Sequence, residues 1–191
     1  QSNDGFAVVL GVNPVTWQIS AADELEYDDR SGGNPALAKI DNTHYLCAYE
    51  GQSGSATAVI LNVNSSDWEV TAGTAVVFDS AGTGPALVQI DATHYLCSYT
   101  YRTQIGRCLV FQVNTVAGTI SAGAISTFSS AGARYSALAQ VDTTHYLCAF
   151  TAISNDAWAR FLSVNLTTWS VSTSGDAVDF GPKQGRNCAL E

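Results

Sequence analysis

The chain has 191 residues, of which 46% are hydrophobic and only 13% charged, and its 17 acidic against 8 basic residues leave a net charge of −9. That balance excludes a nucleic-acid partner, which needs a basic surface. No apolar run approaches the ~20 residues of a membrane-spanning helix, and the wealth of apolar and aromatic residues excludes disorder.

In chain order the sequence repeats itself. Thr43-His44-Tyr45-Leu46-Cys47 returns as Thr93-His94-Tyr95-Leu96-Cys97 and as Thr144-His145-Tyr146-Leu147-Cys148. Before it, Pro35-Ala36-Leu37-Ala38-Lys39-Ile40-Asp41 returns from Pro85 and from Ser136. Val-Asn recurs at 12–13, 63–64, 113–114 and 164–165, and Trp17, Trp68 and Trp169 follow three of these pairs, with Gly118 in the odd copy. Within one period the β-branched and aromatic content predicts four strands: A (35–41), B (43–50), C (56–64) and D (68–78). Strand B is apolar at both parities, which predicts that both of its faces are covered. No window shows the spacing of an amphipathic helix.

Four short antiparallel strands every ~50 residues predict an all-β β-propeller, or a propeller-like array of four-stranded antiparallel blades. The layout resembles the kelch and Asp-box families, in which strand, tight turn, strand, strand and a Trp after a polar turn follow in that order. Residues 1–34 then read as strands C and D of a partial blade, 35–84, 85–134 and 135–186 as blades, and 187–191 as a stub of a further strand A. Gln1 aligns with Gln52, and Cys188-Ala189-Leu190-Glu191 with the start of strand A, so the ends fall inside the repeat. Three readings follow: the chain is a segment of a longer array, other copies supply the missing strand, or it closes alone as an imperfect four-bladed propeller.

Asp41/His44, Asp91/His94 and Asp142/His145 recur once per blade, which predicts turn capping rather than catalysis or zinc binding. Cys47, Cys97 and Cys148 share one strand position and read as buried thiols. If the B–C hairpin is centred near Arg102–Thr103, Cys97 faces Cys108, and a cross-strand disulfide is the alternative to two free thiols. The tryptophans are expected to pack between blades. Asn64-Ser65-Ser66 and Asn165-Leu166-Thr167 match the N-glycosylation pattern.

Alternating strand direction puts the A–B and C–D turns on one rim and the B–C and D–A loops on the other. The second rim is where the copies diverge, and all basic residues but Lys39 fall in or beside its loops. Tyr101, Arg102, Arg134, Tyr135, Asn155, Asp156 and Trp158 are the predicted ligand-binding residues, since aromatic faces beside planar polar groups suit a glycan. No catalytic group, metal set or cofactor motif stands out. The expectation is a non-enzymatic, extracellular or secreted repeat protein acting by binding or self-assembly. The alternatives are a lectin-like propeller and a glycoside hydrolase or lyase using carboxylates such as Asp28, Asp29 and Asp156.

Overall fold

The computed structural model describes residues 4–102, 104–153, 155–181 and 190. Its strands are β1 (Gly5–Ala7), β2 (Leu10–Val12), β3 (Ile19–Ala21), β4 (Leu25–Asp28), β5 (Gly33–Lys39), β6 (His44–Glu50), β7 (Ala56–Val63), β8 (Val70–Ala72), β9 (Val76–Asp79), β10 (Thr83–Gln89), β11 (His94–Tyr101), β12 (Ile105–Asn114), β13 (Thr119–Ala122), β14 (Ser126–Ser129), β15 (Arg134–Gln140), β16 (His145–Thr151), β17 (Ala157–Val164) and β18 (Val171–Asp179). Among the described residues the one helical piece is a 3-10 turn over Gln52–Gly54.

Every pairing is antiparallel and follows the order A-B-C-D. The second blade is β5-β6-β7-β8 with β9 also on β7, the third is β10-β11-β12-β13 with β14 on β12, and the fourth is β15-β16-β17-β18. The first blade consists of two pairs, β1 with β4 and β2 with β3. Strand D of the second and third blades is thus one outer strand broken in the middle. At the break in the third blade, a Cβ on Gly123 would sit 2.9 Å from the Val110 carbonyl, so the close approach of the two backbones requires glycine there. Strand β10 packs against β5 on one side and β15 on the other, so the A strands form the inner edge of the fan.

The blades stack face to face, which explains the double apolar parity of strand B. Leu46, Ala48 and Ile60 of the second blade meet Tyr95, Cys97, Tyr99 and Phe111 of the third. From the opposite face of the third blade, Leu96, Cys108 and Val110 meet Tyr146, Cys148, Phe150 and Leu162 of the fourth. Cys47, Tyr49 and Val59 pack against Ala7, Val9, Leu25 and Tyr27 of the first.

This stacking also settles the Cys97–Cys108 alternative. The observed register pairs Ser98 with Cys108 and Cys97 with Leu109, one residue from the expected one. A one-residue shift in a pleated strand turns a side chain to the other face. The two cysteines therefore belong to different inter-blade cores, and both are free thiols. Cys188 lies outside the described residues.

The Asp/His pairs are turn devices. Asp41 Oδ1 accepts the backbone N–H groups of Thr43 (2.8 Å) and His44 (2.9 Å), and His44 donates through Nδ1 to the same carboxylate at 2.8 Å. The other two copies repeat this within a few tenths of an ångström. The Thr43 N–H, with smaller help from His44, lowers the Asp41 carboxyl to about 2. The Thr144 and His145 N–H groups do the same for Asp142. For Asp91, partial burial opposes ionisation but is outweighed by the Thr93 and His94 hydrogen bonds.

The tryptophans depart from expectation. They sit in the C–D turn rather than in strand D, each in the left-handed backbone region, with φ of 57° at Trp17, 65° at Trp68 and 54° at Trp169. Trp169 alone of the three stacks between blades, lying on His94 with ring centres 3.4 Å apart and planes 9° off parallel. Trp17 and Trp68 are 76% and 54% exposed. The reason lies in the stagger. A C–D turn reaches the A–B turn of the preceding blade, so Trp68 faces the first blade, whose described strands include no A–B turn.

Candidate functional site at the divergent rim

Where one blade meets the next on the divergent rim, three equivalent positions create a cleft: the end of strand D, the outer half of strand B and the start of strand C. Between the second and third blades these are Asp79, Tyr99 and Arg107. Tyr99 donates its hydroxyl to Asp79 Oδ2 at 2.8 Å, and Arg107 Nη1 reaches the same oxygen at 2.7 Å. Burial, followed by the Asp79 hydrogen bond, pushes the Tyr99 phenol far above its ordinary range. The Arg107 guanidinium lies 3.4 Å from the centre of the Tyr101 ring, and Arg102 lies over the same ring at 5.2 Å while donating through Nε to the Tyr101 hydroxyl. Tyr101 and Arg102 therefore act as one unit, held by a third residue, Arg107, that the sequence marks only as a basic neighbour.

Between the third and fourth blades the same positions carry Ser129, Phe150 and Trp158. They line an apolar cavity of about 510 Å³ with Phe128, Ile153 and Arg160. Trp158 faces Phe150 across the β16–β17 pair. Asn155, at φ 64°, donates its N–H to the Ala152 carbonyl, and Asp156 accepts the Ala152 N–H through its own carbonyl at 2.9 Å. These two shape the hairpin beside that cavity.

A third arrangement sits at the inner edge, where the A strands begin. Each carries a bulge whose central residue has positive φ: Asn34 at 48°, Gly84 at 57° and Tyr135 at 51°. At the end of strand B, half-buried Glu50 receives the Thr83 hydroxyl on Oε2 at 2.6 Å and the Asn34 amide on the same oxygen at 3.1 Å. Asn34 also donates to Thr83 Oγ1 at 3.1 Å, which closes a three-residue network across two blades. Both bonds end on Oε2, so Oε1 is the oxygen left to take a proton. Arg134 and Tyr135 begin the next A strand, and Tyr135 is half exposed.

The seven predicted residues thus share one rim but are divided among two inter-blade clefts and the inner edge. Glu50, Asn34, Thr83, Asp79, Tyr99 and Tyr49 were missed. For Glu50, Asn34 and Thr83 the signal would have been departure from the repeat at fixed strand positions, whereas Asp79, Tyr99 and Tyr49 belong to an Asp and a Tyr repeated between successive blades.

No family model and no curated protein sequence matches the chain. Its fold does match a solved structure. A Bacteroides fragilis protein, provisionally assigned as a 6-phosphogluconolactonase, superposes with a TM-score of 0.63 at 14% identity, over 91% of this chain and 51% of that one. The architecture is a β-propeller-like fold, and the chain spans about half the length of the solved structure it matches. The resemblance to kelch and Asp-box repeats extends to this architecture and no further. The expectation of a non-enzymatic protein acting by binding is corrected by the same match, because the matched structure is described as an enzyme. That expectation took an all-β, weakly charged scaffold as a sign of binding, and a scaffold carries no such information.

Proposed function

We propose that the inner edge of the divergent rim is the active site of a hydrolase acting on a polyhydroxylated, anionic sugar derivative. A sugar-acid lactone, as named for the Bacteroides fragilis protein, is the substrate class. The observation that carries this reading is the Glu50 carboxylate, oriented on one oxygen by Thr83 and Asn34 with its other oxygen open. A carboxylate so held suits a general base. Glu50 takes a proton from water, the water oxygen bonds to the lactone carbonyl carbon, and the ring C–O bond breaks as the ring oxygen receives that proton from Glu50. Arg134 supplies a cation for an acidic substituent, and Tyr135 an exposed ring for a sugar face. Tyr101, Arg102, Asn155, Asp156 and Trp158 stand further along the same rim, where a longer substrate would reach them.

The test is acid release from glucono-δ-lactone and 6-phosphogluconolactone in a pH-stat, with spontaneous hydrolysis subtracted. The wild-type chain is expected to accelerate hydrolysis. Glu50→Gln, which keeps the acceptor oxygen, is expected to lose at least about 100-fold. Arg134→Gln should weaken only the phosphorylated substrate. Absence of acceleration across sugar lactones, or full activity in Glu50→Gln, would overturn the reading.

A further inference from the structure

The cleft between the first and second blades holds the same frame as the Asp79–Tyr99–Arg107 cluster with its cation removed. Asp28 stands where Asp79 does, and Tyr49 where Tyr99 does. Thr57 replaces Arg107, and Gly51 replaces Tyr101, the ring on which that guanidinium lies. These two replacements leave a cavity of about 490 Å³, lined by Asp28, Tyr49 and Thr57 among others. Glu26 and Asp29 add two further carboxylates to its wall, against one guanidinium, Arg30. That one is tied to two other residues of the wall, with Nη1 on Gln52 Oε1 at 2.9 Å and Nε 3.6 Å from Asp29, rather than to Asp28 or Glu26.

A second observation points the same way. Tyr49 is 1% exposed, and its hydroxyl meets no partner at full hydrogen-bond distance, Asp28 standing near it without closing the bond, whereas the matching Tyr99 hydroxyl is bonded to Asp79. A buried hydroxyl left unpaired costs ~1–3 kcal/mol, so a ligand that supplies its partner recovers that penalty. Asp28 meanwhile spends Oδ1 on the backbone N–H groups of Arg30 and Ser31, both at 3.0 Å, which leaves Oδ2 for the cleft.

We propose that this cleft is a binding site for an alkylguanidinium group, which takes the place that Arg107 fills one blade further on. The guanidinium donates to Asp28 Oδ2 and to the Tyr49 hydroxyl oxygen, and the Thr57 and Ser55 hydroxyls accept from its remaining N–H groups. A free small molecule and an arginine side chain of a peptide share this chemistry.

The experiment is calorimetric titration of the whole chain with agmatine and, in a separate arm, with a blocked tripeptide containing a central arginine. Agmatine is expected to bind, and the tripeptide to bind more tightly only if a peptide is the natural source. Asp28→Asn keeps the Oδ1 cap and should weaken binding at least tenfold. Tyr49→Phe should weaken it by several-fold. The decisive variant is Thr57→Arg, which supplies the guanidinium from within. It should abolish agmatine binding and raise the thermal midpoint above wild type. Absence of binding at millimolar agmatine, equal binding in Asp28→Asn, or a Thr57→Arg chain that still binds agmatine would overturn the proposal.

Discussion

Single residues here act through what the neighbouring blade offers them. The Asp79 side chain is only 8% exposed and shares its charge with Arg107. Arg107→Met removes that partner and leaves a buried carboxylate, so it should cost about 3–5 kcal/mol in urea unfolding. Asp79→Asn with Arg107→Met should recover much of the loss. The turn carboxylates make a pH prediction. Asp41 and Asp142 titrate near 2 in the folded chain, against an ordinary value of 3.8. A depressed carboxyl stabilises the fold above its unfolded value, and that stabilisation disappears as pH falls through the folded value. The urea midpoint should therefore drop between about pH 4 and pH 2. The drop should be smaller in a triple Asp→Asn variant at positions 41, 91 and 142; equal acid sensitivity in that variant would count against the capping role.

Elements were legible where the repeat states them. The four strands, their order, the capped A–B turns and the buried thiol position all follow from alternation and turn chemistry, because those are local properties of one blade. What one blade could not reveal is what depends on two. The Cys97–Cys108 register turns on a single residue in one hairpin, and the exposure of Trp17 and Trp68 depends on which turn lies opposite. Glu50 reads as an ordinary strand end until Thr83 and Asn34 are brought to it from other segments. The bulge in strand A carries a further prediction. Tyr135 holds an aromatic side chain at φ 51°, where glycine is favoured and other residues are strained by ~1–2 kcal/mol. It is 52% exposed, so little packing offsets that strain. Tyr135→Gly should raise stability by about 1 kcal/mol in thermal or urea unfolding while lowering turnover of sugar lactones. A gain in stability with unchanged turnover would remove Tyr135 from the site.

For the molecule as a whole, stability is uneven. The third blade has covered faces on both sides, and Leu96 is fully buried in the core it shares with the fourth. Leu96→Ala should cost about 2–5 kcal/mol. The first blade, with Phe6, Val8, Leu10, Val12 and Ile19 all between 46% and 68% exposed, should instead open locally, and its amides should exchange fastest among the strands. The thiol row offers a way to watch this. Cys47, Cys97 and Cys148 lie at one position in three successive blades, all buried, and burial pushes Cys47 up to about 12 and raises Cys97 as well. Such groups do not react with a labelling reagent until their own inter-blade seam parts. The chain thus carries a native clock in each of these blades. The order in which the three masses shift under a slow alkylating pulse would give the order in which the blades come apart, with no label built into the chain.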